Sequence, residues 1–191
     1  MPSKPSHDLK QEFLAALPNL RAFAYSLVGS SDRADDLVQD TMMKAWKHLD
    51  RFEEGTNLKA WLFTIMRNTL YSDHRRRRRE VSDTDGTAAD RLAVHPNQES
   101  SIQVRDLMRA LGDLPIEQRE AILLVGAEGL SYDEAAIVCG CAIGTIKSRV
   151  NRARKRLAEL MGMDSVSDIG PDGVTASVLI DGSSTTRLVR T

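Results

Sequence analysis

The stretch IGTIKSRVNRARKRL, Ile143 to Leu157, crowds six cations into the ten residues from Lys147 to Arg156, with no acid between Ile143 and Ala158. A helix whose charges serve only solubility mixes signs, because opposite charges four apart attract and like charges repel. Crowding cations without acids therefore destabilises the helix unless a polyanion offsets the repulsion. Guanidinium and ammonium groups at these intervals suit phosphates, and a planar Arg fork also matches the edge of a guanine. The residues whose chemistry fits are Thr145, Lys147, Ser148, Arg149, Asn151, Arg152, Arg154 and Lys155.

The spacing says how they must be carried. On a helical wheel centred on Ile146, Ile143, Val150, Ala153, Leu157 and Leu160 fall within about 60°. Gly144, Ser148, Asn151, Arg152 and Lys155 fall on the opposite side, with Lys147 and Arg154 on one flank and Arg149 and Arg156 on the other. Upstream, Ser131 and Glu134 form an S-x-x-E capping box that opens a short helix, Tyr132 to Cys139, and Gly140 then breaks the chain. A capped helix, a glycine turn and a cationic amphipathic helix make a helix-turn-helix, whose second helix enters the major groove. Gly144 and Thr145 let the backbone approach the duplex; Asn151 and Arg152 reach for bases, and the outer cations for phosphates. A phosphate-binding loop is a poorer match, since Lys147-Ser148 lacks the directly preceding glycine.

A second cationic run, Arg75 to Arg79, continues a helix rather than forming a tail. Leu58, Trp61, Leu62, Ile65, Met66, Thr69 and Leu70 recur as one apolar stripe, and Thr64, Arg67, Asn68, Tyr71, Arg75 and Arg78 face away from it. Trp61, on the stripe, is expected in the core; Trp46 is either core or surface rim. The loop Phe52 to Asn57 precedes this helix. Before it, Ala34, Val38, Met42, Ala45 and Leu49 form the expected inner stripe of a helix capped by Ser31 or Asp32, leaving Asp36, Gln39, Asp40, Met43 and Lys47 outside. Leu9 to Leu27 is also helical in pattern, with Pro18 expected where one helix ends and another begins.

In the second half, Ile102, Leu107, Leu111 and Leu114 mark a helix, and Pro115 opens another through Ala121, Ile122 and Val125 that ends at Gly129. Residues 81–101 are rich in acids, Gly, Ser and Pro and read as a flexible linker. The fold class is thus all-α: a helical domain over residues 1–80, the linker, a second helical domain over 102–162, and a tail over 163–191 that is disordered or a hairpin around Asp181 to Ser184.

Other chemistries find little support. The 191 residues carry 41% hydrophobic and 28% charged side chains, an ordinary composition for a chain that buries a core. The net charge of −1 hides local segregation, which is the informative quantity. Cys139 and Cys141 have the wrong spacing for redox or zinc chemistry and are expected to be small apolar fillers. His7, His48, His74 and His95 are scattered, and neither HExxH nor GxSxG occurs. No catalytic residue, metal or cofactor is expected. The N-terminus has no apolar leader, so a cytoplasmic location is expected, away from membranes.

Two separated stretches resemble one family in its usual order. DDLVQDTMMKAW (Asp35 to Trp46), followed by GTNLKAWLFTIMRNTLYSDHRRRR, resembles conserved region 2 of bacterial sigma factors. LPIEQREAILLVGAEGLSYDEAAIVCGCAIGTIKSRVNRARKRL resembles region 4. With only a short linker between them, the pattern is that of extracytoplasmic-function (ECF) sigma factors. GTNLKAWLFTIMRN and CGCAIGTIKSRVNRAR are similar to the EcfG-type general-stress members. The resemblance covers roughly residues 9 to 161 and says nothing of the tail.

It implies that Asp36, Gln39, Asp40 and Met43 dock on the clamp helices of the largest RNA polymerase core subunit, with the polymerase flap as a further contact. Gly55, Thr56, Asn57, Arg67, Asn68, Tyr71, Arg75 and Arg78 would take the −10 element of promoter DNA, within a pocket formed in part by Glu54 to Leu58. The helix-turn-helix would read the −35 element. A small soluble anti-sigma factor is a further implied partner. Two alternatives are a stand-alone helix-turn-helix regulator and a sigma-like mimic that titrates an anti-sigma factor.

Overall fold

The computed structural model describes the backbone of residues 7–82 and 102–162, with side chains over 9–76 and 104–162. The expected linker core and the tail lie outside the described residues, within which no strand occurs. The helices are α1 (His7–Val28), α2 (Ser31–Lys47), α3 (Leu58–Ser82), α4 (Ile102–Gly112), α5 (Ile116–Ile122), α6 (Tyr132–Cys139) and α7 (Ile143–Met161). A 3₁₀ turn, Leu49–Arg51, follows α2, and a π-helical turn, Leu123–Ala127, prolongs α5.

The first bundle packs α1, α2 and α3 against one another. Phe13, Leu20, Phe23 and Leu27 of α1 are buried together with Leu62, Phe63 and Met66 of α3. Phe23 and Phe63 meet edge to face at 4.7 Å between centroids. Pro18 does not divide α1, contrary to its expected role as a boundary. A proline inside a helix removes one backbone bond and costs about 3 kcal/mol. The apolar face that continues from Leu9 and Phe13 to Leu20 and Leu27 outweighs that loss.

On α2 the buried positions are Ala34, Leu37, Thr41 and Ala45, a stripe turned slightly from the expected one, with Val38 and Met42 only partly covered. Thr41 fits inside because its hydroxyl donates to the Leu37 carbonyl at 2.6 Å. Neither Ser31 nor Asp32 caps this helix. Ser30 holds the N-cap position without a side-chain bond, and Ser31 accepts from Arg21 at 3.2 Å, beside the Arg21–Asp35 ion pair. Trp61 is half-buried, its ring 5.3 Å from that of Phe52.

In the second bundle α4, α5 and α6 surround α7, which buries Ile146, Val150, Ala153, Leu157 and Ala158. Ile143 and Leu160, at the ends of the expected stripe, remain exposed. Cys139 is buried and Cys141 half-buried, both as free thiols, and burial pushes the Cys139 thiol up to about 12. The filler role expected for Cys139 fits this placement.

The two bundles pack on each other. Helix α3 lies against α6, and α1 against α4 and α5, so the buried apolar residues of both halves form one cluster.

Candidate nucleic-acid interface

The helix-turn-helix is built as its sequence dictates. Ser131 Oγ accepts from the Glu134 amide at 3.2 Å, and Glu134 accepts in return from the Ser131 amide at 2.8 Å, completing the capping box. Gly140, at φ 61°, adopts the left-handed conformation that ends α6 and turns the chain into α7. With the apolar stripe of α7 inside, Lys147, Asn151, Arg152 and Lys155 are exposed, while Thr145, Ser148, Arg149 and Arg154 are half-buried along its edges.

Few of these cations are neutralised. Arg152 donates to Ser148 Oγ at 3.2 Å, Lys147 sits 5.9 Å from the Tyr132 ring centroid, and Arg149 reaches Cys141 Sγ at 3.8 Å. Among the described residues, Arg156 is the one cation of this helix paired with a carboxylate, that of Glu159 at 3.0 Å. The face is a donor-rich surface matched to an anionic ligand.

On α2, Asp36, Gln39, Asp40 and Met43 are all exposed on one side, Met43 at 64%. Trp46 continues this surface at 53% exposure, held edge-on to Phe13 at 6.3 Å. The face thus joins an apolar patch, Met43 and Trp46, to two acids, Asp36 and Asp40, with Lys47 at its far end.

The third set divides. Gly55, Thr56, Asn57, Asn68 and Arg75 are exposed, and the Arg78 side chain lies outside the described residues. Thr56 donates to the Glu53 carbonyl at 2.7 Å, and Asn57 caps α3 by accepting from the Ala60 amide at 3.1 Å. Arg67 and Tyr71, however, are turned towards the second bundle. Arg67 Nε and the Tyr71 hydroxyl donate to Glu120 Oε2 at 3.3 and 3.2 Å, with the guanidinium 4.4 Å from the Tyr71 ring centroid. Asn57 donates to Glu134 Oε1 at 2.6 Å.

Glu120 is 1% exposed, and its Oε1 has no protein partner. Burial raises its carboxyl above the ordinary value, beyond what Arg67 and Tyr71 restore. Burial likewise raises the Tyr71 phenol, with Glu120 adding to the effect.

Further polar contacts join the bundles. Lys59 pairs with Glu128 at 2.7 Å and also donates to its backbone carbonyl at 3.1 Å, while Asn19 donates to Glu128 at 3.0 Å. Glu128 ends the π-helical turn, its amide bonded five residues back to the Leu123 carbonyl. Arg119, 2% exposed, donates to the carbonyls of Ser26 and Leu27 on α1 and of Gly112 and Leu114 beside α5.

Sequence reasoning did not single out Arg119, Glu120, Glu128 or Lys59. A signal existed for the first two. Arg119 and Glu120 stand four residues before the buried Leu123 and Leu124, and thus on the same helix face. Charged residues on an apolar face imply partners from another element. Nothing local marks Glu128, because the π-helical turn that positions it is not legible as a motif.

Fold and surfaces define a two-bundle protein of helix-turn-helix type, with a cationic second helix and a separate exposed acidic face on α2. The comparisons with known proteins are more specific. Residues 13–80 match Sigma-70 region 2, and residues 105–157 match Sigma-70 region 4. The chain is 53% identical to the ECF RNA polymerase sigma factor EcfG of Rhodopseudomonas palustris, over 90% of this chain and 94% of that one. It is 36% identical to the probable RNA polymerase sigma-C factor of Mycobacterium bovis, over 81% and 79% of the two chains. Among solved structures, the sigma factor RpoE of Bartonella quintana, in complex with the anti-sigma factor NepR, superposes with a TM-score of 0.75. It is 58% identical, over 84% of this chain and all of that one. The chain belongs to the ECF RNA polymerase sigma factors.

Proposed function

We propose that this sigma factor carries core RNA polymerase to stress-response promoters through three surfaces. Helix α7 lies in the major groove at the −35 element. Arg152 and Asn151 reach base edges there, and Lys147, Arg149, Arg154 and Lys155 hold phosphates, with Thr145 and Ser148 at the closest backbone approach. The loop Gly55 to Asn57 and the α3 residues Arg67, Asn68, Tyr71, Arg75 and Arg78 take the −10 strand. Holding an opened strand must offset lost stacking of about 1.4 kcal/mol per step, which a pocket for an extruded base supplies. Asp36, Gln39, Asp40 and Met43 on α2 grip the polymerase clamp, and the second bundle meets the flap.

The protein acts in the cytoplasm as an initiation factor, and bond-making belongs to the polymerase. Among the described residues no helix is long and apolar enough to cross a membrane. The solved relative bound to NepR supports a small anti-sigma factor as the regulator. In this reading region 2 spans residues 1–80 and region 4 spans 102–162.

The observation that carries this reading is the exposed face of α7, free of acids from Ile143 to Ala158, on the second helix of a helix-turn-helix, in a chain that also exposes an acidic, Met-centred face on α2. Run-off transcription with sigma-free core polymerase tests it. Promoter-dependent transcripts are expected; duplex binding without core binding would instead favour a stand-alone regulator.

A further inference from the structure

The start of helix α7 departs at three consecutive positions from what helix physics favours. Ala142 holds the N-cap with no side-chain bond, where Ser, Thr, Asp or Asn would satisfy a free amide. Ile143, the first helical residue, is β-branched and apolar, yet it is 40% exposed, whereas Ile146 and Val150 further along its stripe are buried. Gly144 stands within the helix, where glycine is unfavourable relative to alanine. Its backbone is not left-handed, and a Cβ at this position would meet nothing within 4 Å among the described residues. Neither the packing nor the backbone of α7 calls for a glycine there. The first turn also lacks the acid that the helix dipole favours.

Local choices that cost stability and leave bare space mark a place where something else comes in. Ala142, Ile143 and Gly144 are all exposed, and the N-terminal residues of the second helix of a helix-turn-helix are the ones that meet base edges. Ile143 brings an apolar side chain to this place, about 40° round the helix from Lys147. It has neither donor nor acceptor, so against a polar base edge it would leave the base's own groups unpaired. The apolar group that base pairs present in the major groove is the C5-methyl of thymine. We propose that Ile143 is a specificity-determining residue that packs on a thymine methyl of the −35 element, and that Gly144 leaves the room for the duplex to come that close. The inference rests on the promoter reading above and deepens it: beside the polar readers Asn151 and Arg152 it sets an apolar one, and it names the base that this residue selects.

Uracil lacks the methyl and keeps every hydrogen-bonding group of thymine, so the contact can be removed from the DNA alone. The probe is the promoter duplex of the run-off assay, synthesised with thymine throughout and with uracil at each −35 thymine of either strand in turn. The full-length wild type, Ile143→Ala, Ile143→Gln and Gly144→Ala are assembled with core polymerase, and fluorescence anisotropy reads the dissociation constants. Thermal melts of the free chains check the fold. Ala is the better helix former at an exposed site, and I143Q, polar and of similar length, keeps the test valid should I143A melt lower.

The wild type is expected to lose about fourfold in affinity when uracil replaces one of the −35 thymines, as burial of a single methyl group implies. I143A and I143Q are expected to bind the thymine and uracil duplexes alike, no more tightly than the wild type binds uracil. G144A is expected to melt no lower than the wild type, because its methyl has open space in the free chain, and to bind the thymine duplex about tenfold more weakly, because that space is filled in the complex. A wild type indifferent to uracil at every −35 thymine overturns the assignment, as do folded Ile143 variants that still prefer thymine. A G144A chain of unchanged affinity overturns the close approach. Failure of the promoter reading looks different: the wild type would then bind the promoter duplex no more tightly than an unrelated one, with or without the methyl groups, and would direct no run-off transcript.

Discussion

Arg152 and Arg119 show how differently one side chain is used in the two settings. Arg152 is exposed on α7, where among the described residues it bonds to Ser148, and its fork can meet a base. Arg152→Ala should leave the melting temperature nearly unchanged and weaken −35 binding by about 1–3 kcal/mol, as loss of a bidentate base contact does. Footprinting on a cognate promoter checks it; unchanged −35 protection would remove Arg152 from the reading set. Arg119 is buried against four carbonyls. Burial lowers its guanidinium from the ordinary value, yet those acceptors keep it fully satisfied but for Nε. Arg119→Ala orphans the carbonyls and should destabilise the fold by about 3 kcal/mol, read as a lower urea midpoint.

Helix α6 is the element whose ends are most fully specified. Its capping box satisfies backbone donors at the start, and Gly140 ends it. Ser131→Ala should cost about 1 kcal/mol. The hydrogen bonds from Asn57 and from the Ser131 amide and hydroxyl hold the Glu134 carboxyl below its ordinary value of 4.5. A carboxyl depressed on folding stabilises above its unfolded pKa, and that contribution disappears as the pH falls through the folded value. Thermal melts of the wild type should therefore drop below pH 4.5 more steeply than those of Glu134→Gln.

This element was fully legible beforehand, because a cap, a glycine and three residues of spacing are local facts. Helix α1 was not. Pro18 reads locally as a boundary, and only the packing of Leu20, Phe23 and Leu27 under α3 explains why the helix runs on. The inner stripe of α2 was legible in kind but displaced by one position, since Leu37 and Thr41 are selected by what α1 and α3 present. The acidic outer face was unaffected by that displacement.

At the scale of the whole molecule, the packing of the two bundles on each other is tied to the burial of Glu120. Glu120 faces Arg67, Tyr71, Glu117 and Cys139, and burial holds its carboxyl above the ordinary 4.5. When the bundles part, water reaches it and its pKa returns towards that value. The closed form therefore binds the proton more tightly, and its advantage is present at low pH and declines as pH rises through the closed-state value. Small-angle scattering should show the compact fraction growing as the pH is lowered towards 4.5, above the window in which Glu134 titrates. Glu120→Gln should flatten that dependence. A compactness independent of pH in the wild type would mean that Glu120 keeps the same environment in both forms.

The sequence by itself determined the helices of the second half, the outward cations of α7, the acidic face of α2 and the family, because each depends on neighbours three or four residues apart. Tertiary structure alone decided that Arg67 and Tyr71 turn to Glu120, that a π-helical turn delivers Glu128 to Lys59, and that Arg119 closes the end of α1. Those pairs lie 49 to 93 residues apart along the chain. Periodicity names the face on which a side chain lies, whereas its partner is fixed only when two faces are packed together.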